Sequence, residues 1–332
     1  MWGVLLRNDV LITGGCGFIG HHVVEHIIKN TDWNIVIFDK LSYASNGFDR
    51  LRDINVFDEK RVRVLTVDFS RKISDGIIKE TADVDYILHL GAETHVDNSI
   101  LDPEPFVITN VLGTMHMLDY ARKLKNLKRF VYFSTDEVFG PASKGVFFKE
   151  WDRYNSTNPY AATKAGGEEL SLAYANTYKL PVIITHTMNV FGERQHPEKF
   201  IPMCAKKISK DEIVLIHSDP TKTKPGSRFW IHARNVAAAI LFLLSKSEVR
   251  EKYNIVGEKE INNLEMAQFI ANILGKKLKY RMKDFHSSRP GHDLRYALDG
   301  EKLEKMGWKE PVDFEKSLEK TIRWIVSHPQ WL

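Results

Sequence analysis

Thr13-Gly14-Gly15-Cys16-Gly17-Phe18-Ile19-Gly20 is the stretch that decides how this chain is read. Ahead of it, Asp9 to Thr13 is a short apolar run, and behind it roughly His21 to Asn30 repeats apolar residues at helical spacing. Strand, glycine turn and helix in that order are the context in which a glycine fingerprint signifies a dinucleotide site. Glycine is needed where the turn is tight and where backbone must approach a pyrophosphate. The helix N-terminus then offers free N–H groups and a positive dipole end to the anion. Gly14, Gly17, Phe18, Ile19 and Gly20 are therefore the candidate contacts of this turn.

Outward from that turn, Asn34 to Phe38 is a second strand that ends on Asp39. This acid lies 19 positions past Gly20, close to the spacing of about 20 at which an acid meets a ribose. A carboxylate there accepts from ribose hydroxyls and repels a 2′-phosphate, so NAD is expected over NADP. Val62 to Val67 is a third strand, and Asp68 and Phe69 at its end either flank an adenine or simply close the strand. Tyr86 to Leu90 is a fourth, followed by Gly91-Ala92-Glu93-Thr94-His95, small enough in part for a flat cofactor ring to lie close. His95 in such a place is more often a hydrogen-bonding or packing group than a catalyst. One helix is expected over 105–124.

Arg129 to Phe133 is a fifth, buried strand, and Ser134-Thr135-Asp136-Glu137-Val138-Phe139-Gly140 follows it. Open parallel sheets bind ligands outside the carboxyl ends of their strands, so two adjacent carboxylates are delivered to that place. Pro159 suits the first turn of the next helix, with Ser156, Thr157 or Asn158 able to cap it. Tyr160 and Lys164 are then one turn apart on one face. A Lys ammonium at that spacing is expected to stabilise the phenolate and lower the tyrosine pKa, which makes Tyr160 a candidate base. Tyr-x-x-x-Lys alone is common. Its weight comes from standing one element after an acid pair in a dinucleotide fold.

The chain has 332 residues, a formal net charge of +4 and two cysteines. Its cations are dispersed rather than clustered, which disfavours nucleic acid as a partner. Cys16 and Cys204 give no disulfide framework or cysteine metal site, and a reducing cytoplasm is expected. No apolar run reaches the length of a membrane span. Beyond a sixth strand, Pro181 to Thr185, the alternation becomes less regular. Short strands are expected at Ile213 to His217, Tyr253 to Val256 and Leu278 to Met282, with 218–227 as a long polar loop. Helices are expected near 235–245, 264–274, from 300 and over 314–327. The expected class is α/β: a Rossmann-type doubly wound parallel sheet over 1–190, with 228–250 packing back on it, and a smaller mixed substrate-binding region over 191–332. Lys199, Arg228 and Arg289 are three loop cations that either form solvated surface or supply what a sugar nucleotide diphosphate needs.

These residues resemble an extended short-chain dehydrogenase/reductase, and more specifically the dTDP-glucose 4,6-dehydratase family. Thr13 to Gly20, Asp39-Lys40-Leu41-Ser42-Tyr43-Ala44 and Leu90 to Asp97 are similar to its cofactor segments, which implies contacts from Lys40, Ser42, Asp68, Phe69, Leu90, Ala92 and Thr94. Thr135 to Gly140 is the most specific match. Sugar epimerases of the superfamily usually carry small polar residues in place of the two acids, and the related decarboxylases and GDP-mannose dehydratases usually keep only the glutamate. His95, Asn189, Glu198, Lys199, Phe200, Arg228, Asn254, Arg289 and His292 match nucleotide-sugar contacts. The chain departs from the pattern at Asn98, at His186-Thr187-Met188, at Val190 and over 218–235.

The resemblance implies a catalytic set of Thr135, Asp136, Glu137, Tyr160 and Lys164, NAD as cofactor, no metal, and a homodimer paired through helices near 105–124 and 160–178. The implied reaction oxidises C4 of dTDP-glucose or UDP-glucose, eliminates water across C5–C6 and reduces C6. A 4-epimerase or a UDP-glucuronate decarboxylase on the same fold, and an NAD-sensing module, are the alternatives. Asp136 weighs against the first two, and the complete catalytic set against the third.

Overall fold

The computed structural model describes residues 8–284 and 294–332. Its strands, in chain order, are β1 (Asp9–Thr13), β2 (Asn34–Asp39), β3 (Val62–Thr66), β4 (Tyr86–His89), β5 (Arg129–Thr135), β6 (Val182–Thr187), β7 (Asn189–Phe191), β8 (Val214–Ser218), β9 (Ser227–His232), β10 (Lys252–Ile255), β11 (Glu260–Asn262) and β12 (Tyr280–Asp284). Seven of them form one parallel sheet in the order β10-β6-β5-β4-β1-β2-β3. Val10, Leu11 and Ile12 of β1 and Ile37 and Phe38 of β2 have no exposure, as continuous apolar strands covered on both faces require. The strand order reverses between β1 and β4, and that switch point is where a doubly wound sheet binds its ligand.

The chain divides into two interleaved units. The first comprises 1–134, 162–185 and 240–253, and the second 135–161, 186–239 and 254–332. The sequence suggested 1–190 with 228–250 packing back on it, and 191–332 as a second region. By contacts, the chain changes unit near the ends of β5, β6 and β10 and inside the helices Pro159–Tyr178 and Ala233–Lys246, so the acid-bearing segment 135–161 belongs to the second unit. The first unit's core joins Leu11, Phe38, Ile87, Phe130 and Tyr132 of the sheet to Met117, Leu118 and Ala175 of its helices. The second has its own core, in which Ile201, Cys204, Ile216, Trp230, Ile270 and Leu318 meet.

Two local expectations need correction. The single helix over 105–124 is a short turn, Glu104–Phe106, then a π-helical turn, Val107–Leu112, then Gly113–Ala121. Within that widened turn, Asn110 accepts from Glu93 N at 2.9 Å and donates to Glu93 O at 3.0 Å. Gly113 admits the Phe69 ring, which an added Cβ would meet at 2.9 Å. The second correction is β9, where the sequence suggested a loop followed by an isolated arginine. β9 pairs parallel with β7 and antiparallel with β11. Its partners have three residues each, too few to reveal a period.

Candidate functional site

The glycine turn lies between β1 and a helix over Phe18–Asn30. Gly14 has φ +70°, and an added Cβ there would lie 2.8 Å from Gly91 Cα. At Gly20 it would lie 2.0 Å from the Gly14 carbonyl oxygen. Backbone therefore fills the places where side chains would stand. Gly17 caps the helix without any side-chain hydrogen bond, so the N–H groups of its first turn, Phe18, Ile19 and Gly20, have no side-chain cap. This cradle fits a pyrophosphate. Asp39 at the end of β2 is buried, and its two oxygens accept from Cys16 N at 3.0 Å and Leu41 N at 2.8 Å. Burial raises its pKa despite those bonds. Each oxygen keeps a further lone pair for a ribose hydroxyl.

The loop after β4 is held by contacts that sequence reasoning missed. Gly91 N donates to Thr13 Oγ1 at 3.0 Å, and Thr114 Oγ1 donates to the Asn110 carbonyl at 2.6 Å. His89 bridges the two hydroxyls at 2.8 and 3.1 Å. Thr114 has spent its proton, so His89 Nε2 donates to it and Nδ1 accepts from Thr13. Burial and the Lys164 charge pull the His89 pKa down to about 3, which keeps this tautomer neutral. Lys40 pairs with Glu93 at 2.7 Å, and Asn110 also donates to Thr163 at 3.0 Å. Leu90 and Ala92 are half-buried on this loop, Thr94 is exposed, and Ser42 precedes a single 3-10 turn. Asp68 accepts from Ser70 N and Oγ. Phe69, three residues past the end of β3, is a core residue, 3% exposed and edge-on to His89 at 5.2 Å.

The second unit carries the acid pair. Thr135 continues β5 and donates to Asp136 Oδ1 at 3.0 Å while accepting from Glu137 N at 3.3 Å. Asp136 is buried, and its Oδ2 has no hydrogen-bond partner among the described residues. Burial, then the Glu137 charge, raise its pKa to about 7, against weaker lowering by Arg228 and Thr135. Glu137 Oε2 accepts from Asn158 Nδ2 at 3.1 Å, and Asn158 Oδ1 accepts from Ala161 N at 2.9 Å. Asn158 thus caps the helix Pro159–Tyr178 and orients Glu137 at once. Gly140, with φ +73°, leaves room for the Asn155 carbonyl, which an added Cβ would meet at 2.3 Å.

Tyr160 and Lys164 stand one turn apart on that helix. The expected lowering of the Tyr160 pKa is reversed: burial raises it, the Glu137 charge adds to the rise, and the Thr135 hydroxyl bond opposes it. Lys164 Nζ donates to the Phe133 carbonyl at 2.6 Å in the first unit. Its pKa is itself pulled down to about 7, because burial outweighs the nearby Glu168 charge.

Of the expected substrate contacts, Arg228 on β9 is buried, donates to Ser227 O and Leu294 O at 2.6 and 2.9 Å, and lies 4.5 Å from the Tyr296 ring centroid. Asn189 starts β7, Lys199 caps the helix Phe200–Ser209 and sits 3.8 Å from Glu198, and Phe200 is tilted on Trp230. His95 caps a short helix by accepting from Asn98 N at 3.3 Å. Asn254 is fully buried, with its amide donating to Phe148 O and Asp299 O at 3.0 Å and its oxygen 2.9 Å from His186 Nδ1. It therefore braces the second unit and has no donor left for a ligand. Arg289 and His292 lie outside the described residues.

A family model described as GDP-mannose 4,6 dehydratase matches residues 11–321. The chain belongs to that family. Within the GDP-mannose 4,6-dehydratase family, it resembles the dTDP-glucose 4,6-dehydratases over nearly its whole length. A dTDP-glucose 4,6-dehydratase from Salmonella typhimurium is 36% identical, with 97% of this chain and 94% of that protein covered. A low-salt glycan biosynthesis protein from Haloferax volcanii is 38% identical, with 95% and 97% covered. A trifunctional protein from Arabidopsis thaliana, whose activities include UDP-glucose 4,6-dehydratase, is 35% identical over 98% of this chain. The chain spans about half the length of that relative, 48%. Among solved structures, the dTDP-glucose 4,6-dehydratase of Streptomyces venezuelae with NAD bound is similar at a TM-score of 0.88 and 33% identity, over 97% of this chain and 98% of that one.

Proposed function

We propose that the protein is an NAD-dependent nucleotide-sugar 4,6-dehydratase acting on dTDP-glucose or UDP-glucose. The observation that carries this reading is the buried Asp136, with a pKa raised to about 7 and an unpartnered Oδ2, immediately beside Glu137. Neighbouring carboxyl groups in different protonation states suit one acid and one base. A C4 epimerase or a decarboxylase needs no proton donor at C6.

Bound NAD supplies the hydride acceptor for C4 and returns the same hydride to C6. The glycine turn and the helix Phe18–Asn30 hold its pyrophosphate, and Asp39 holds a ribose. Tyr160 takes the C4 hydroxyl proton, Lys164 stabilises the phenolate, and Thr135 hydrogen-bonds the reacting oxygen. The oxidised nicotinamide is positively charged, which offsets the rise that burial imposes on Tyr160. The C4 ketone acidifies C5–H. Glu137 removes that proton, Asp136 protonates the departing C6 hydroxyl, and water leaves. Glu137 then gives its proton to C5 as C6 is reduced. The proton gained by Tyr160 balances the one lost by Asp136, and solvent exchange restores both. Arg228 and Lys199 engage the diphosphate.

The same reading includes a homodimer and a cytoplasmic location. Val107, Ile108 and Leu112 of the π-helical turn are 49, 39 and 40% exposed, an apolar patch suited to a helical partner face. Both cysteines are buried and unpaired, as a reducing compartment permits.

The test is incubation of purified protein with dTDP-glucose and, separately, UDP-glucose. Loss of one water by mass spectrometry, with the alkali-induced absorbance of a 4-keto-6-deoxy sugar, supports the reading and ranks the nucleotides. Loss of CO2 from UDP-glucuronate, or an epimer of unchanged mass, replaces it.

A further inference from the structure

Four buried side chains of the first unit, Ser134, Lys164, Glu168 and Lys252, make a charged group in which the scheme above uses only Lys164. Glu168 follows Lys164 by four residues, so both project from one face of the helix Pro159–Tyr178. That face meets β5. Lys164 Nζ bonds the Phe133 carbonyl and lies 4.4 Å from the Tyr132 ring centroid. Glu168 Oε1 accepts from the hydroxyl of Ser134, the next residue of the same strand. Its Oε2 lies 3.6 Å from Lys252 Nζ on β10. Lys164, Glu168 and Lys252 are 4, 0 and 3% exposed, so the Glu168 carboxylate stands beside the Lys252 ammonium, and one helical turn from Lys164, with almost no water.

We propose that Glu168 is a positioning residue: it keeps Lys164 protonated and seated on the end of β5, while Lys252 competes for the same carboxylate. Its part in the reaction rests on the dehydratase reading, but its electrostatics do not. The groups facing Lys164 are the Tyr132 ring and Phe133 carbonyl of β5, the neutral His89 of β4, and Glu168 of its own helix. Of these, Glu168 alone brings a negative charge. Burial pulls the Lys164 pKa down and Glu168 opposes the pull. Lys252 is lowered by burial in the same way, with Glu168 and Glu169 opposing. Neutralising Glu168 leaves two buried ammonium groups without it, and both shed protons more readily.

The test is a lysine-selective 13C NMR titration of the full chain with NAD, the Lys164 signal being assigned by its loss in Lys164→Met. In Glu168→Gln the Lys164 midpoint falls by about one pH unit or more. In Lys252→Met, which frees the carboxylate for Lys164, it rises. Nicotinamide reduction by the sugar in an Asp136→Asn background isolates the first chemical step. There, adding Glu168→Gln moves the alkaline limb to lower pH by the same amount, a shift that mere loss of packing does not produce. A midpoint unmoved in both Glu168→Gln and Lys252→Met overturns the proposal, whether or not the enzyme is active. So does a rate lowered equally at every pH. A moved midpoint with no nicotinamide reduction by any sugar supports the electrostatic role and overturns the reading of the reaction instead. Should Glu168→Gln not fold, Lys252→Met and Glu168→Asp carry the test: a Lys164 midpoint raised in the first and retained in the second supports it.

Discussion

Asp136 holds its proton because it is buried and Glu137 stands beside it. Its pKa is raised from 3.8 to about 7, so the folded protein binds a proton that the unfolded chain releases between those values. The resulting stabilisation is complete below pH 3.8 and is lost as pH rises through about 7. Asp136→Asn, which cannot ionise, should therefore gain Tm over the parent at pH 8 and gain less at pH 5; calorimetry at the two values checks the sign. The same variant should lower turnover by about 10²- to 10⁴-fold, the usual contribution of a positioned acid. It should let reduced nicotinamide accumulate during a single turnover. Thr135, Asp136, Glu137, Tyr160 and Lys164 were legible in the sequence because they sit in two short segments. Asn158 was legible only as a candidate cap, and its hold on Glu137, like the His89–Thr114 and Asn110–Glu93 contacts, depends on a partner 17 to 25 positions away that no local pattern announces. Asn254 misled for the opposite reason: a matching residue type says nothing about whether its amide is already spent.

Among the elements, the glycine turn is the most exacting. An added Cβ at Gly20 would lie inside contact distance of backbone, which no side-chain rotation relieves. Gly20→Ala should weaken NAD binding by more than tenfold by calorimetry and destabilise the fold by about 1–3 kcal/mol. At the other end of the chain, Asn262 accepts from Leu264 N and Glu265 N and completes a capping box with Glu265. Asn262→Ala should cost about 1 kcal/mol in urea unfolding and leave turnover unchanged. Long periodic elements were readable: the helix Phe314–Ser327 and strands β1 and β2 lie where their patterns put them. The π-helical turn was not, because its extra residue is set by the Asn110–Glu93 exchange and by the Phe69 ring against Gly113. Strand β9 escaped notice because its pairing partners are three-residue segments far along the chain.

For the molecule as a whole, the exposed Val107, Ile108 and Leu112 are the surface to probe. If the proposed homodimer pairs through this surface, Ile108→Asp should shift light-scattering mass from dimer to monomer while leaving the far-UV spectrum unchanged; a monomeric parent, or a variant that stays dimeric, overturns this pairing. The broad class, a parallel sheet followed by a smaller mixed region, could be read from sequence. Its interleaving was only partly anticipated: 228–250 was expected to pack back on the sheet, while the separation of 135–161 was not, since a change of unit at the end of a strand leaves no break in composition. That interleaving bears on how the chain is made. The first unit takes its final segment from 240–253, and β10 ends at Ile255. A ribosome releases β10 only after the 64 residues that separate it from β6, and during that interval β6 is an open sheet edge with unpaired backbone groups. A nascent chain stalled before Lys252 offers that edge to any neighbouring strand.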